Sequence, residues 1–313
     1  MDDGVEHGAG VLLARVIVNR IWQHHFGHGI VRTPGDFGVR SEAPTHPELL
    51  EWLVHDFVTH GWQIKRLHRL ILQSAVFQQS SHLAPRDESS SGPPTQPPLT
   101  ATSLHSDPDN RLLWKFPIQR LEGEILRDSM LAVSGTLNTK SYGPAMKPPI
   151  AGEAILARNV KDPYPDKVED SAELRRRSIY LFHKRVVPYP LLQAFDKPDA
   201  QQTCSRREHT TVATQALALL NDPFVRTVSS EFADRLIRQH PDDLKAQLRY
   251  ACRLALSREP LDEELAAAEN FVIEQTSQRS ARDRQLDATT LHRQALTDLC
   301  QTQFGLNEFL YVD

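Results

Sequence analysis

Asn221 to Pro260 reads NDPFVRTVSSEFADRLIRQHPDDLKAQLRYACRLALSREP. Asp222-Pro223 marks a helix start: the carboxylate can accept from the first turn, and proline sits where its missing N–H costs nothing. Val225, Val228, Phe232 and Leu236 follow at helical spacing and define one inward face. Leu244, Leu248, Cys252 and Ala255 repeat the pattern. Pro260 separates them from a further helix that turns Leu265, Ala268 and Val272 inward. A last helix is expected from about Arg282 to Gln303, and another, ending at Asn221, precedes the quoted stretch.

The N-terminal part has the same character. In Val11–Phe26, Leu13, Ile17 and Ile21, with Val18 and Trp22 beside them, trace a helical face that ends at Gly27 and Gly29. Thr45-His46-Pro47-Glu48 matches a capping box ahead of Leu49, Leu50, Leu53 and Phe57, and His60-Gly61 stops that helix. A third helix is expected from about Gln63 to Gln79, with Ile64, Leu67, Ile71 and Ser74 inward. One more runs from about Ile118 to Ser134-Gly135. Ser178–His183, rich in β-branched and aromatic residues, is the best strand candidate. The fold class is therefore mostly α: a multi-helix, bundle-like fold with long irregular loops and at most a few short strands. Residues 1–80 form an N-terminal helical subdomain. Residues 81–108, rich in Ser and Pro, form a flexible loop or linker. Residues 109–313 are expected to form a C-terminal helical subdomain packed with the first, the two making one domain overall.

The totals narrow the function. Of 313 residues, 40% are hydrophobic and 24% charged, the balance of an ordinary globular protein. A net charge of −4 argues against a general nucleic-acid binder. No early apolar run is long enough for a membrane span, and the acidic, glycine-rich start lacks the basic and apolar regions of a signal peptide. Cys204, Cys252 and Cys300 form no C-x-x-C pattern, which speaks against zinc and covalent haem and leaves one disulfide open. His24 and His25 point about 100° apart on a helix, so no metal site is assigned to them. No G-x-S-x-G, H-E-x-x-H, P-loop or dinucleotide fingerprint is present.

Two polar clusters remain. Arg120, Glu124 and Asp128, spaced by four, with Arg127 beside Glu124, read as a structural ion network, since the arginines would hold both carboxylates ionised. Between Arg175 and Asn221, Thr210 or Thr211 is a plausible N-cap just after Arg206 and Arg207. Asp196, Arg206, Arg207, Thr210 and Thr211 thus form a candidate anion site at a helix N-terminus. The competing expectation is that the arginines pair with Asp196, Asp199 or Glu208 and staple the turn. Cys204 beside them is expected to be an incidental thiol.

Several long segments remain: VNRIWQHHFGHGIVRTPGDFGVRSEAPTHPELLEWL (18–53), GWQIKRLHRLILQSAVFQQSS (61–81), RLEGEILRDSMLAVSG (120–135), the stretch 175–221 and NEFLYVD (307–313). Together they are similar to the C-terminal domain of a family best represented in planctomycete bacteria, the PSD-one domain family. The resemblance implies an exported multidomain protein of the periplasm or cell surface, in which a cytochrome-c-like domain and a middle domain precede this one. Haem is expected only in that upstream domain, and no cofactor in this chain. Beginning at the first motif, the chain reads as a fragment, a split gene product or a shortened homologue. Partners would be upstream family domains, neighbouring exported proteins, or an anionic ligand or polysaccharide. The leading expectation is a noncatalytic ligand- or partner-binding module. The alternative is a hydrolase of an anionic saccharide or ester, its site lying where the 196–215 segment meets Glu124 and Asp128. A structural scaffold is the third option.

Overall fold

Asp222 caps its helix as the sequence predicts, its carboxylate accepting from the Phe224 N–H. Val225, Val228, Phe232 and Leu236 behind it have no solvent exposure. In the computed structural model, which describes residues 9–81, 99–150, 172–185 and 187–312, this helix is the hub of a mostly α fold. The chain divides between Gln119 and Arg120 into two compact units.

The first unit is built on α1 (Ala9–Phe26), α2 (Pro47–Thr59) and α3 (Ile64–Leu72), which pack on one another; α4 (Leu99–Ser106) also falls in it. The buried face of α1 is Ala14, Val18, Trp22 and Phe26. Leu13, expected inward, is 54% exposed, so the face is rotated by one residue. The rotation places the ring of Phe26 against Trp22, Phe77 and Phe116, an aromatic core that outweighs burial of Leu13. It also buries Asn19, whose amide donates to the Val31 carbonyl and accepts from the Val31 N–H at 3.0 and 2.8 Å. Gly29 makes that clasp possible, because a Cβ there would lie 2.4 Å from the Asn19 amide and 2.6 Å from the Val31 carbonyl.

The expected capping box at Thr45 does not form. Pro47 takes the first helical position, so the cap falls on His46, and Thr45 bonds the Ile30 carbonyl and the His46 ring instead. Helix α3 ends at Leu72 rather than Gln79, because the Ser74 hydroxyl bonds the Ile71 carbonyl and starts a turn. Within α3, Leu67 and Ile71 are buried, whereas Ile64 is 51% exposed. Of the Ser/Pro-rich segment 81–108, residues 82–98 lie outside the described residues, and Leu99–Ser106 is helical.

Imidazole meets imidazole where α1 crosses α3: His25 Nε2 and His68 Nδ1 are 2.7 Å apart. One ring must donate and the other accept, so a second proton removes the acceptor. Burial and the charges of His68 and His24 hold the His25 pKa below the ordinary 6.5. His183, His209 and His292 shift in the same direction, each chiefly through burial. Between the lowered folded value and 6.5 the unfolded chain binds more protons, so stability falls as pH drops through that window. The urea midpoint is expected to decrease from about pH 7 to about pH 5, with a shallower slope in His25→Gln. An unchanged slope in that variant would remove His25 from the account.

The second unit holds α5 (Gly123–Ser134), α6 (Pro190–Ala194), α7 (Ala213–Asn221), α8 (Pro223–Gln239), α9 (Leu244–Leu256), α10 (Asp262–Arg282), α11 (Ala288–Phe304) and α12 (Asn307–Leu310). Helix α8 packs on α11, α5, α9 and α7, and Phe232 stacks on Phe304 at 5.9 Å. Among the described residues the sheet is a two-stranded ribbon of β1 (Gln119–Arg120) and β2 (Tyr311–Val312).

Three expectations here are corrected. The helix expected from Ile118 starts only at Gly123, since Arg120 is in β1. Ser178–Tyr180 is a 3-10 turn followed by one bridge, Leu181 to Met146, rather than a strand. Ser178 is pulled into the turn by Asp128, which accepts from its N–H and its hydroxyl at 2.7 Å each. The last helix, expected from about Arg282, starts later: α10 runs on to Arg282, and α11 begins behind Asp287, which caps the Thr290 N–H.

Candidate functional site

Helix α5 enters the site through Gly123, where a Cβ would lie 3.0 Å from that of Phe195. This close approach sets Glu124, in the first turn of α5, beside the segment that follows α6. There Asp196 adopts φ +57°, a left-handed conformation that Asp tolerates better than most residues. Asp196 is held on both oxygens: it accepts from the Thr210 N–H and hydroxyl at 2.8 Å each and from the Arg120 guanidinium at 2.5 Å. Arg120 also donates to the Thr210 carbonyl, packs over Phe195, and leaves its buried Nε without a partner.

Sequence distance hides a second pair. Arg207 forks onto Glu124 at 2.7 and 3.2 Å, with Glu122 at 3.4 Å. Burial raises the Glu124 carboxyl, but the hydrogen bond and charge of Arg207 outweigh it, and the net shift is downward. Asp196 follows the same logic: burial raises it, and Thr210 and Arg120 bring it below the ordinary range. Both carboxylates are therefore ionised at neutral pH. His183 and His209 lie near them with lowered pKa values, burial being the largest cause for each.

The two clusters seen in the sequence thus interlock instead of standing apart. Arg120 pairs with Asp196 and Glu124 with Arg207; no i, i+4 ladder forms, because Arg120 lies outside the helix. Arg127 is turned inward onto the Arg176 and Leu174 carbonyls and the Ser178 hydroxyl, while Asp128 holds Ser178. The arginine staple exists, but Arg207 is stapled to Glu122 and Glu124 rather than to Asp196, Asp199 or Glu208. Arg206 is exposed, and Cys204 is an exposed free thiol bonded to the Arg206 carbonyl. Cys252 and Cys300 are buried free thiols.

The cap of α7 is Val212, one residue beyond the expected threonines, and the Gln215 amide oxygen accepts from its N–H at 3.5 Å. Thr210 serves Asp196 instead, and the Thr211 hydroxyl lies 3.4 Å from that of Tyr311. Glu122, His183 and Gln215 carry no local signal in the sequence. Glu122 and Gln215 enter the site through their contacts with Arg207 and Thr210.

Beside these ion pairs a cavity of about 360 Å3 opens between α7 and the α11–α12 corner. Its walls are mainly apolar, with Phe195, Leu219, Leu220, Leu306 and Leu310 among them, and Arg120 at one end. Amides of Gln215, Gln301 and Asn307 are interspersed. Helix α7 continues the apolar surface outward, with Val212, Leu217 and Leu220 47–62% exposed. Among the described residues no group of three or more His, Cys, Asp or Glu could hold a metal ion. None of the described helices is long and apolar enough to cross a membrane.

Compared with known protein families, residues 5–272 match the one described as "PSD1: Protein of unknown function (DUF1553)". Neither a curated protein nor a solved structure matches the chain.

Proposed function

The chain belongs to the PSD1 family (DUF1553), and from that premise we propose that it is a noncatalytic binding module whose α7 face and adjoining cavity receive an apolar segment of a protein partner. The observation that carries this reading is the contrast between the two sides of the site. Its carboxylates are neutralised from within the chain, whereas leucines of α7 and α12's approach face solvent around an open cavity. An apolar centre edged by the exposed Thr211, Thr302 and Asn307 is the composition of a protein interface. The resemblance to exported multidomain proteins makes upstream family domains and neighbouring exported proteins the partners to try first.

A second reading, a hydrolase of an anionic saccharide or ester, draws on one observation. The segment bearing Asp196 and Arg207 meets the residues bearing Arg120 and Glu124, and two imidazoles with lowered pKa values lie beside them.

One experiment separates the readings. The purified chain is mixed with proteins encoded beside it and with polysaccharides, and the same samples are assayed for turnover of sulfated, phosphorylated and ester substrates. The expected result is binding to a protein, weakened at least about tenfold by Leu220→Glu or Leu306→Glu, which lie at the cavity mouth. Absence of binding to every protein offered would overturn the module. Turnover abolished by Glu124→Gln would replace it with the hydrolase.

A further inference from the structure

A second cavity, of about 290 Å3, lies under the segments on either side of α6 and shares no lining residue with the apolar one. Lys184 and Arg185 come from the segment before α6; Lys197, Pro198, Asp199 and Gln201 come from the segment after it, and Gln193 from α6 itself. Among the described lining residues, Lys197 and Arg185 thus face one carboxylate, Asp199. That carboxylate is turned back on its own loop, where Asp199 Oδ1 accepts from the Gln201 N–H at 2.9 Å.

Lys197 is the informative residue. It is half-buried, and among the described residues no carboxylate pairs with its ammonium. Glu124 acts on it through charge but already gives both oxygens to Arg207. Burial lowers the Lys197 pKa and the like charge of Arg207 adds to that, which is the state of a cation short of an anion. Its position is fixed by the left-handed turn at Asp196 and by the Lys197 N–H bonded to the Leu192 carbonyl at 3.1 Å.

We propose that this cavity binds a tetrahedral oxyanion, a sulfate or phosphate group, between Lys197 on one side and Arg185 on the other. The guanidinium fork takes two oxygens in its plane, and the ammonium takes another as a point charge. The Gln193 and Gln201 amides would meet hydroxyls of a body that carries the group. The assignment does not depend on the apolar cavity binding a protein.

The test measures binding of inorganic sulfate and inorganic phosphate to the whole chain, by calorimetry and by the shift of the unfolding midpoint at constant ionic strength. A sugar monosulfate and a sugar monophosphate form the other two arms, and tighter binding of either assigns the site to an ester rather than the free ion. Either Lys197→Met or Arg185→Gln is expected to weaken the best of these ligands about tenfold or more, and Asp199→Asn to tighten it severalfold by removing the like charge. Arg185 is exposed, so its variant tests the site without burdening the fold. No saturable binding in any arm, or equal binding by the parent and the Arg185 and Lys197 variants, would overturn the proposal.

Discussion

Arg127→Met is expected to destabilise the chain by about 3–5 kcal/mol, read as a fall in the urea midpoint at unchanged slope. The side chain is 1% exposed, and its guanidinium donates to the Arg176 and Leu174 carbonyls at 3.0 and 2.6 Å and to the Ser178 hydroxyl at 3.2 Å. It also stacks over Phe224 and acts through its charge on Tyr189, whose pKa burial nevertheless pushes up to about 12. Met fills much of the volume but leaves those acceptors dry, and each unsatisfied group costs about 1–3 kcal/mol. Arg127→Lys should recover less than half of the loss, since one ammonium cannot span the positions that a planar fork reaches. Both variants lying within about 1 kcal/mol of the parent would show that the 174–178 turn does not need this anchor.

Phe232→Ala should cost a similar amount, about 3–5 kcal/mol, for a different reason. Its ring is wholly buried on α8, stacked on Phe304, in the core where α8 meets α11. Truncation removes the transfer energy of the ring and leaves a void that the surrounding helices can only partly close. Phe232→Leu keeps most of the volume and is expected to lose less than half as much. If Phe232→Ala cost below about 1 kcal/mol, α8 would not be the hub of its unit.

These two residues mark how far the sequence could be read. Phe232 was legible because its neighbours at Val225, Val228 and Leu236 repeat at helical spacing behind an Asp-Pro start. The same local physics made the class mostly α and set the caps at Asp222. Where two local signals competed, the reading slipped: Pro47 displaced the cap from Thr45, and the Asn19–Val31 clasp with its aromatic neighbours rotated α1 by one residue.

Arg127 was legible only as a charge. Its spacing from Glu124 and Asp128 suggested a member of a structural ion network, yet the chain from Leu174 to Ser178 folds over it and takes its guanidinium onto backbone carbonyls. The site residues behave likewise. Composition and motif spacing identified Arg120, Glu124, Asp196 and Arg207 as polar residues that need partners, and the arginines as staples. Which carboxylate each arginine takes was decided by the left-handed turn at Asp196 and the close approach at Gly123, contacts between segments 76–83 residues apart. Helical periodicity is a property of near neighbours and can be read from the chain. Ion pairing and cavities depend on which surfaces the packed core leaves facing one another, and that is settled only when the whole unit folds.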